Sequence, residues 1–396
     1  MTGNTDQTQQ SGQPLEGLKV IDMGQVYLGP YCGLLFGYLG AEVIKIEGPG
    51  GDPIRFQTRA GENPAAMMLN SNKKSVTLDL HDETDRAAFL DLVAGADVLI
   101  ENFRPGTMER LGLGFDDVLH RLNPRLVYGS GKGYAADSEC HDAPAMDFPI
   151  QAYTGLMAVT GFADGPPVKS GAAITDFMTG VHLYGGILAA LHERGKSGIG
   201  QKVEVAMQDV AHHALASNIS SYILSPDNFV ERAGNSQGVL EVTPYDIYPA
   251  SDGSVSIMCL VDRHWAALAR AMGAPHLATD PRYEGNIERT RRRAEVDAIV
   301  STWTAGQTRS EIFAALNQAN VPSAPVRQIS EIARDKDMVR RGMIVEQPHP
   351  ELGTVPVPAS PFRFSRHANT KPRRAPQAGE HTNQVLGRGP APDITE

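Results

Sequence analysis

Short β-branched runs alternate with helix-forming segments through the first half of the chain, and no other property restricts its fold as much. The runs at 18–22 (LKVID), 42–47 (EVIKIE), 75–80 (SVTLDL), 97–101 (DVLIE) and 125–129 (RLVYG) are short and rich in Val, Ile and Leu. Such runs read as strands buried on both faces. Between them, a helix begins at Pro30 and stops before Gly40, and another over 83–94 turns Ala87, Leu90 and Val93 to one side. Alternation of this kind predicts a parallel sheet covered on both faces, with ligands at the carboxyl ends of its strands. Here those ends are 24–29, 102–106 and 130–134.

Further along, the spacing of Val181, Tyr184, Ile187, Leu188 and Leu191 predicts a long helix after Asp176, capped by Gly195. A strand over 201–207 and a helix over 209–224 lead out of this domain, and the composition changes at Pro226 and 234–238. From about 243 to 326 a second unit is expected: a strand pair around Ser251-Asp252-Gly253, then helices over 263–272 and 310–320. The charged run 289–293 reads as a solvated helix face. The Pro-rich stretch 348–361 reads as extended, the tail after His367 as loosely packed, and residues 1–13 as too polar to fold.

Charge and cysteine content exclude several classes. With 36 basic and 46 acidic side chains the formal charge is −10, so a nucleic-acid backbone would be repelled. Cys32, Cys140 and Cys259 are far apart and form neither a disulfide framework nor a zinc motif. The start lacks the basic and apolar regions of a signal peptide, and no stretch approaches about 18 uninterrupted apolar residues. The expectation is a cytoplasmic, acidic, two-domain enzyme without membrane or nucleic-acid partners.

Three motifs resemble functional signatures and lack their context. Gly195-Lys196-Ser197 has Ala190 where a phosphate-binding loop needs glycine. Gly234-Asn235-Ser236-Gln237-Gly238 has the letters of a nucleophile elbow but follows Glu231 and Arg232 rather than a buried strand. His212 and His213 have no evident third metal ligand, so no metal is expected. By contrast, the small-residue segment VKSGAAIT brings one acid, Asp176, to the mouth of the long helix. A helix N-terminus favours an ionised carboxylate and offers amides for an oxyanion. Asp is also a common helix cap, and on spacing alone the cap is the better reading.

Several segments, in order, resemble the class III CoA-transferases, which include formyl-CoA transferase and carnitine CoA-transferase. They are PLEGLKVIDMGQVYLGPYCGLLFGYLGAEVIKIE, NKKSVTLDL, ADVLIENFRPGTMERLG, NPRLVYGS, GFADGPPVKSGAAITDFMTGVH, GILAALHERGKSGIGQKVEVAMQD and AGEHT. The resemblance implies an α/β fold: a large Rossmann-like parallel-sheet domain formed by both chain ends, a small inserted α+β domain, and an interlocked homodimer. The implied division is a tail over 1–13, the large domain over 14–228, the small domain with linkers over 229–343, and a return to the large domain over 344–396. The implied reaction moves CoA from an acyl-CoA donor to a carboxylic acid acceptor through an aspartyl anhydride and an aspartyl-CoA thioester. Coenzyme A is then a substrate, with no tightly bound cofactor. The nucleophile falls on Asp176. Arg104, Arg110, Asn102, Phe103, Leu78, Val26 and Leu28 match CoA-binding positions, and Asp147 matches an auxiliary acid near the nucleophile.

The chain departs from that pattern at two places. Formyl-CoA transferases carry a long glycine run in the small domain, where this chain has only Gly234 and Gly238, and Gly48 replaces a basic residue that some members use for the CoA phosphates. Two other activities compete with transfer. A racemase on the same fold needs a second proton-exchanging group opposite the first; the family's racemases have histidine before the auxiliary acid, where this chain has Met146. A non-catalytic CoA-binding protein would need the arginines but not Asp176.

Overall fold

A computed structural model describes residues 12–56, 63–236, 241–349, 353–368 and 370–388. These divide into two compact units, one drawn from 1–153, 171–213 and 333–396, the other from 154–170 and 214–332. The smaller unit thus includes 154–170 and 214–228, segments expected from sequence in the large domain.

In the larger unit, strands β1 (Lys19–Asp22), β2 (Glu42–Glu47), β3 (Lys73–Thr77), β4 (Val98–Glu101), β5 (Val127–Lys132) and β6 (Lys202–Ala206) form one parallel sheet in the order β3-β2-β1-β4-β5-β6. This mixed α/β arrangement is consistent with a Rossmann-like domain. Helices α1 (Leu28–Tyr38), α2 (Glu83–Ala94), α3 (Asp147–Tyr153) and α4 (Ile174–Ser197) belong to the same unit. Alternate strand residues feed two cores. Val20, Val98, Ile100 and Val127 pack with α1 and α4, while Ile21, Ile44, Leu99 and Tyr128 pack with α2. On α2 the buried residues are Phe89 and Val93, and the expected Ala87 is exposed. Because β1 pairs with both β2 and β4, the chain reverses its winding there. At such a switch point two loops leave the sheet in opposite directions and open a crevice.

Helix α4 has the length and apolar character of a membrane span. Its Leu183, Tyr184, Ile187 and Ala190 are nevertheless buried against the sheet and α1. It runs through Gly195 and ends at Gly198, whose φ of 79° supplies the left-handed cap.

The C-terminal segment is better held than the sequence suggested. A hairpin of β10 (Ile344–His349) and β11 (Gly353–Pro358) precedes it. The AGEHT stretch then lies along the free edge of β3: His381 N donates to Ser75 O at 2.8 Å, and Thr77 N donates to Thr382 Oγ1 at 3.0 Å. An open strand edge is a pairing hazard, and this segment covers it. At the other end, residues 1–11 of the expected disordered tail over 1–13 lie outside the described residues, whereas Gln13, expected in that tail, is anchored through Nε2 to Ala368 O at 3.2 Å.

The smaller unit has an antiparallel sheet of β7 (Tyr245–Ala250), β8 (Gly253–Met258) and β9 (Ser323–Pro325), around a core of Tyr248, Trp265, Val296 and Leu316. Arg289 corrects the expectation of a solvated charged run. It is 1% exposed and donates to Thr243 O, Tyr283 O, Asp262 and Asn286. A fully buried guanidinium requires this degree of pairing.

Candidate active site

The β1–α1 loop and the loop after β4 meet at the switch point. Asn102 clamps the first loop reciprocally: Gln25 N donates to Asn102 Oδ1 at 2.7 Å, and Asn102 Nδ2 donates to Gln25 O at 2.9 Å. Gly24 and Gly29 are glycines for a steric reason, since a Cβ on Gly24 would lie 2.5 Å from Gly29 Cα. Val26 has φ 64°, in the left-handed region that a β-branched residue rarely enters. Buried charges hold it there. Val26 N donates to Asp52 at 3.1 Å, Asp52 pairs with Lys45 at 3.1 Å, and Lys45 Nζ also donates to Gly24 O. Beside them, Lys73 Nζ donates to Asp22 Oδ2 at 2.6 Å and to Pro30 O at 2.7 Å, with both side chains fully buried. Local strain over-determined by its surroundings is characteristic of functional loops.

Of the expected CoA-contacting residues, Val26, Asn102 and Phe103 lie at this junction and are partly exposed. Leu28 and Leu78 are buried in the two cores, at 2% and 1% exposure. Arg104 and Arg110 are exposed cations: Arg104 donates to Asp142 O at 3.3 Å, Arg110 to Thr107 Oγ1 at 2.8 Å. Arg104 also borders a cavity of about 120 Å³ lined by Lys132, Tyr134, His141 and the buried Ser130. Lys132 there pairs with Glu101 at 2.8 Å, and burial next to Glu101 pushes the Tyr128 hydroxyl well up.

Asp176 is the third residue of α4, so it is not the helix cap; the capping position is Ala173, whose side chain can accept nothing. The capping oxygen comes from elsewhere in the chain. Asp147, the first residue of α3, accepts Thr175 N at 2.9 Å and Thr175 Oγ1 at 2.6 Å through Oδ1. Its Oδ2 accepts Gln151 Nε2 at 2.6 Å. The neighbouring Asp176 is partly buried, and burial together with the Asp147 charge raises its pKa from 3.8 to about 7. The sequence reading expected an ionised carboxylate favoured by the helix dipole. That effect is outweighed here, because desolvation and a like charge both penalise the anion.

Thr175, Gln151, Lys45, Asp52 and Lys73 were not singled out in the sequence. A lysine in a strand buried on both faces must find a partner, so EVIKIE and NKKSV carried a readable signal for two of them. The contacts of Thr175 and Gln151 join separate segments and have no local signature. Gly238, half of the sparse glycine pattern, lies outside the described residues. Among the described residues no cluster of three His, Cys, Asp or Glu could hold a metal. Met146 is an exposed thioether that cannot exchange a proton.

The chain is similar to known proteins over nearly its whole length. The chain is 36% identical over 384 residues to succinyl-CoA:mesaconate CoA-transferase of Haloarcula hispanica, covering 94% of this chain and 95% of that one. It is 34% identical to formyl-CoA:oxalate CoA-transferase of Streptomyces avermitilis, covering 94% of each. The crystal structure of a CaiB/BaiF family protein from Brucella suis superposes with a TM-score of 0.84 at 31% identity, over 95% of this chain and 99% of that one. The model of CoA-transferase family III matches residues 15–382, which span both units and every candidate residue above, and the chain therefore belongs to that family and is an enzyme of its class.

Proposed function

We propose that the protein transfers CoA from an acyl-CoA to a carboxylic acid with Asp176 as covalent nucleophile. The observation that carries this reading is a partly buried carboxylate in the first turn of α4 whose pKa is raised to about 7 by burial and Asp147. A carboxylate of raised basicity is a stronger nucleophile, and near pH 7 a substantial fraction is ionised. Its oxygen attacks the thioester carbonyl, forming a mixed anhydride and releasing CoA thiolate. The thiolate attacks the aspartyl carbonyl, giving an aspartyl-CoA thioester and the donor's free carboxylate. The acceptor carboxylate then displaces thiolate to form a second anhydride, and thiolate attacks the acceptor's carbonyl to release acyl-CoA and Asp176. Asp147 holds the first turn of α4 through Thr175, and Arg104 and Arg110 bind the CoA phosphates.

The names of the two relatives support a dicarboxylic acceptor, since mesaconate and oxalate both carry two carboxylates. The proposal includes an interlocked homodimer, which the resemblance of the sequence segments supports. The decisive experiment incubates the protein with succinyl-CoA, traps with hydroxylamine and maps the peptides. A hydroxamate on the Asp176 peptide, with Asp176→Asn folded and inactive, is the expected result. An active Asn variant, or an adduct elsewhere, would falsify the assignment.

A further inference from the structure

Asp176 and Gly180 are one helical turn apart on α4 and share a face. A Cβ on Gly180 would lie 2.9 Å from Leu28 O and 3.1 Å from Tyr31 Cδ1, so the first turn of α1 lies directly against that face. Phe177, next to Asp176, meets Tyr31 edge-on with centroids 4.7 Å apart and tilts against Tyr27 at 5.6 Å. The three rings join Val26, Ile54, Met68 and Leu69 in an apolar group that touches the α1–α4 sheet core through Tyr31 and Met68. Phe177 itself belongs to neither sheet core. Phe177 thus follows Asp176 in the chain and packs on the same first turn of α1 that lies against the Asp176–Gly180 face, outside both sheet cores.

We infer that Phe177, backed by Tyr27 and Tyr31, is a water shield that commits acyl groups on Asp176 to transfer instead of hydrolysis. The inference rests on the reading of Asp176 as nucleophile. Water can intercept two intermediates. It splits the mixed anhydride into the Asp176 carboxylic acid and the free acyl acid, and it splits the aspartyl thioester into the Asp176 carboxylic acid and CoA thiol. Either event spends one thioester and one water without making product. Excluding water prevents such side reactions.

The experiment compares CoA thiol released from succinyl-CoA without acceptor against mesaconyl-CoA formed with mesaconate. Phe177→Ala should raise the ratio of hydrolysis to transfer by about tenfold. Phe177→Leu, which keeps apolar bulk, should stay near the parent ratio. The acid limb of transfer in Phe177→Ala should also move to lower pH, because hydration relieves the burial that raises the Asp176 pKa. Should Phe177→Ala fail to fold, Tyr27→Ala supplies the same comparison. An unchanged ratio in a folded variant overturns the shield. Asp176→Asn is run alongside: if it is inactive in both assays, an unchanged ratio counts against the shield alone, whereas an Asn variant that still transfers removes the underlying nucleophile.

Discussion

At the scale of single residues, Asp176 and Asp147 differ in what their surroundings ask of them. Asp147 has both oxygens engaged by Thr175 and Gln151, while Asp176 is affected chiefly by burial and by the Asp147 charge. Transfer should therefore fall about tenfold per pH unit below pH 7, as the Asp176 carboxylate takes up its proton. Asp147→Asn removes the like charge but keeps an oxygen for Thr175, so that limb should shift to lower pH in a kcat/KM profile. An unmoved limb would show that the two carboxyls are not coupled. Stability carries the opposite sign. The folded-state pKa of Asp176 is raised from 3.8 to about 7, so its favourable contribution is complete below about pH 4 and is lost as pH rises through 7. Asp176→Asn should thus melt above the parent at pH 8, by on the order of 1–2 kcal/mol after screening, and show no such gain at pH 4. For the CoA phosphates, Arg104→Ala or Arg110→Ala should each weaken CoA binding about tenfold, the loss of one charge-assisted contact. Equal affinities by titration calorimetry would exclude these two cations.

Among the elements, the β1–α1 loop depends most on its neighbours. Its shape rests on two buried ion pairs, Asp22 of β1 with Lys73 of β3 and Lys45 of β2 with Asp52 beyond it, and Lys73 alone bonds both Asp22 and Pro30. Lys73→Met would leave Asp22 buried without its counter-charge, at a cost of about 3–5 kcal/mol. A double variant, Lys73→Met with Asp22→Leu, should recover much of that loss in thermal melts, because an apolar pair of similar volume replaces the ion pair. If the double variant is no more stable than the single one, the pair is not what supports the loop. Other element-level expectations were readable from local pattern. β2 begins and ends where EVIKIE does, and α2 occupies 83–94 as expected, started by the Asp82 side chain. The strand expected over 75–80 instead runs Lys73–Thr77, because the buried Lys73 pairing extends the ladder towards the N-terminus and β2 offers partners only as far as Glu47.

For the whole molecule, the proposal is an interlocked dimer. Sedimentation should give a dimer at micromolar concentration, and a monomer there would exclude interlocking. The order of short apolar runs and helices determined, without any tertiary information, that the larger unit is a parallel α/β sheet. Sequence motifs alone likewise singled out Asp176, Asn102 and the two arginines. The tertiary structure decided what those residues do to one another. Asp176 reads as a plausible cap until Asp147, 29 positions earlier in the chain, is found to accept the Thr175 amide in its place. Arg289 reads as solvated until its guanidinium is found between two backbone carbonyls and one carboxylate from three separate segments. The tail around His381 reads as loose until it is found on the edge of β3. The physical reason is the same in each case. Periodicity and propensity are local and survive in the one-dimensional string, whereas desolvation, charge pairing and edge closure depend on which distant segments the fold brings within a few ångströms.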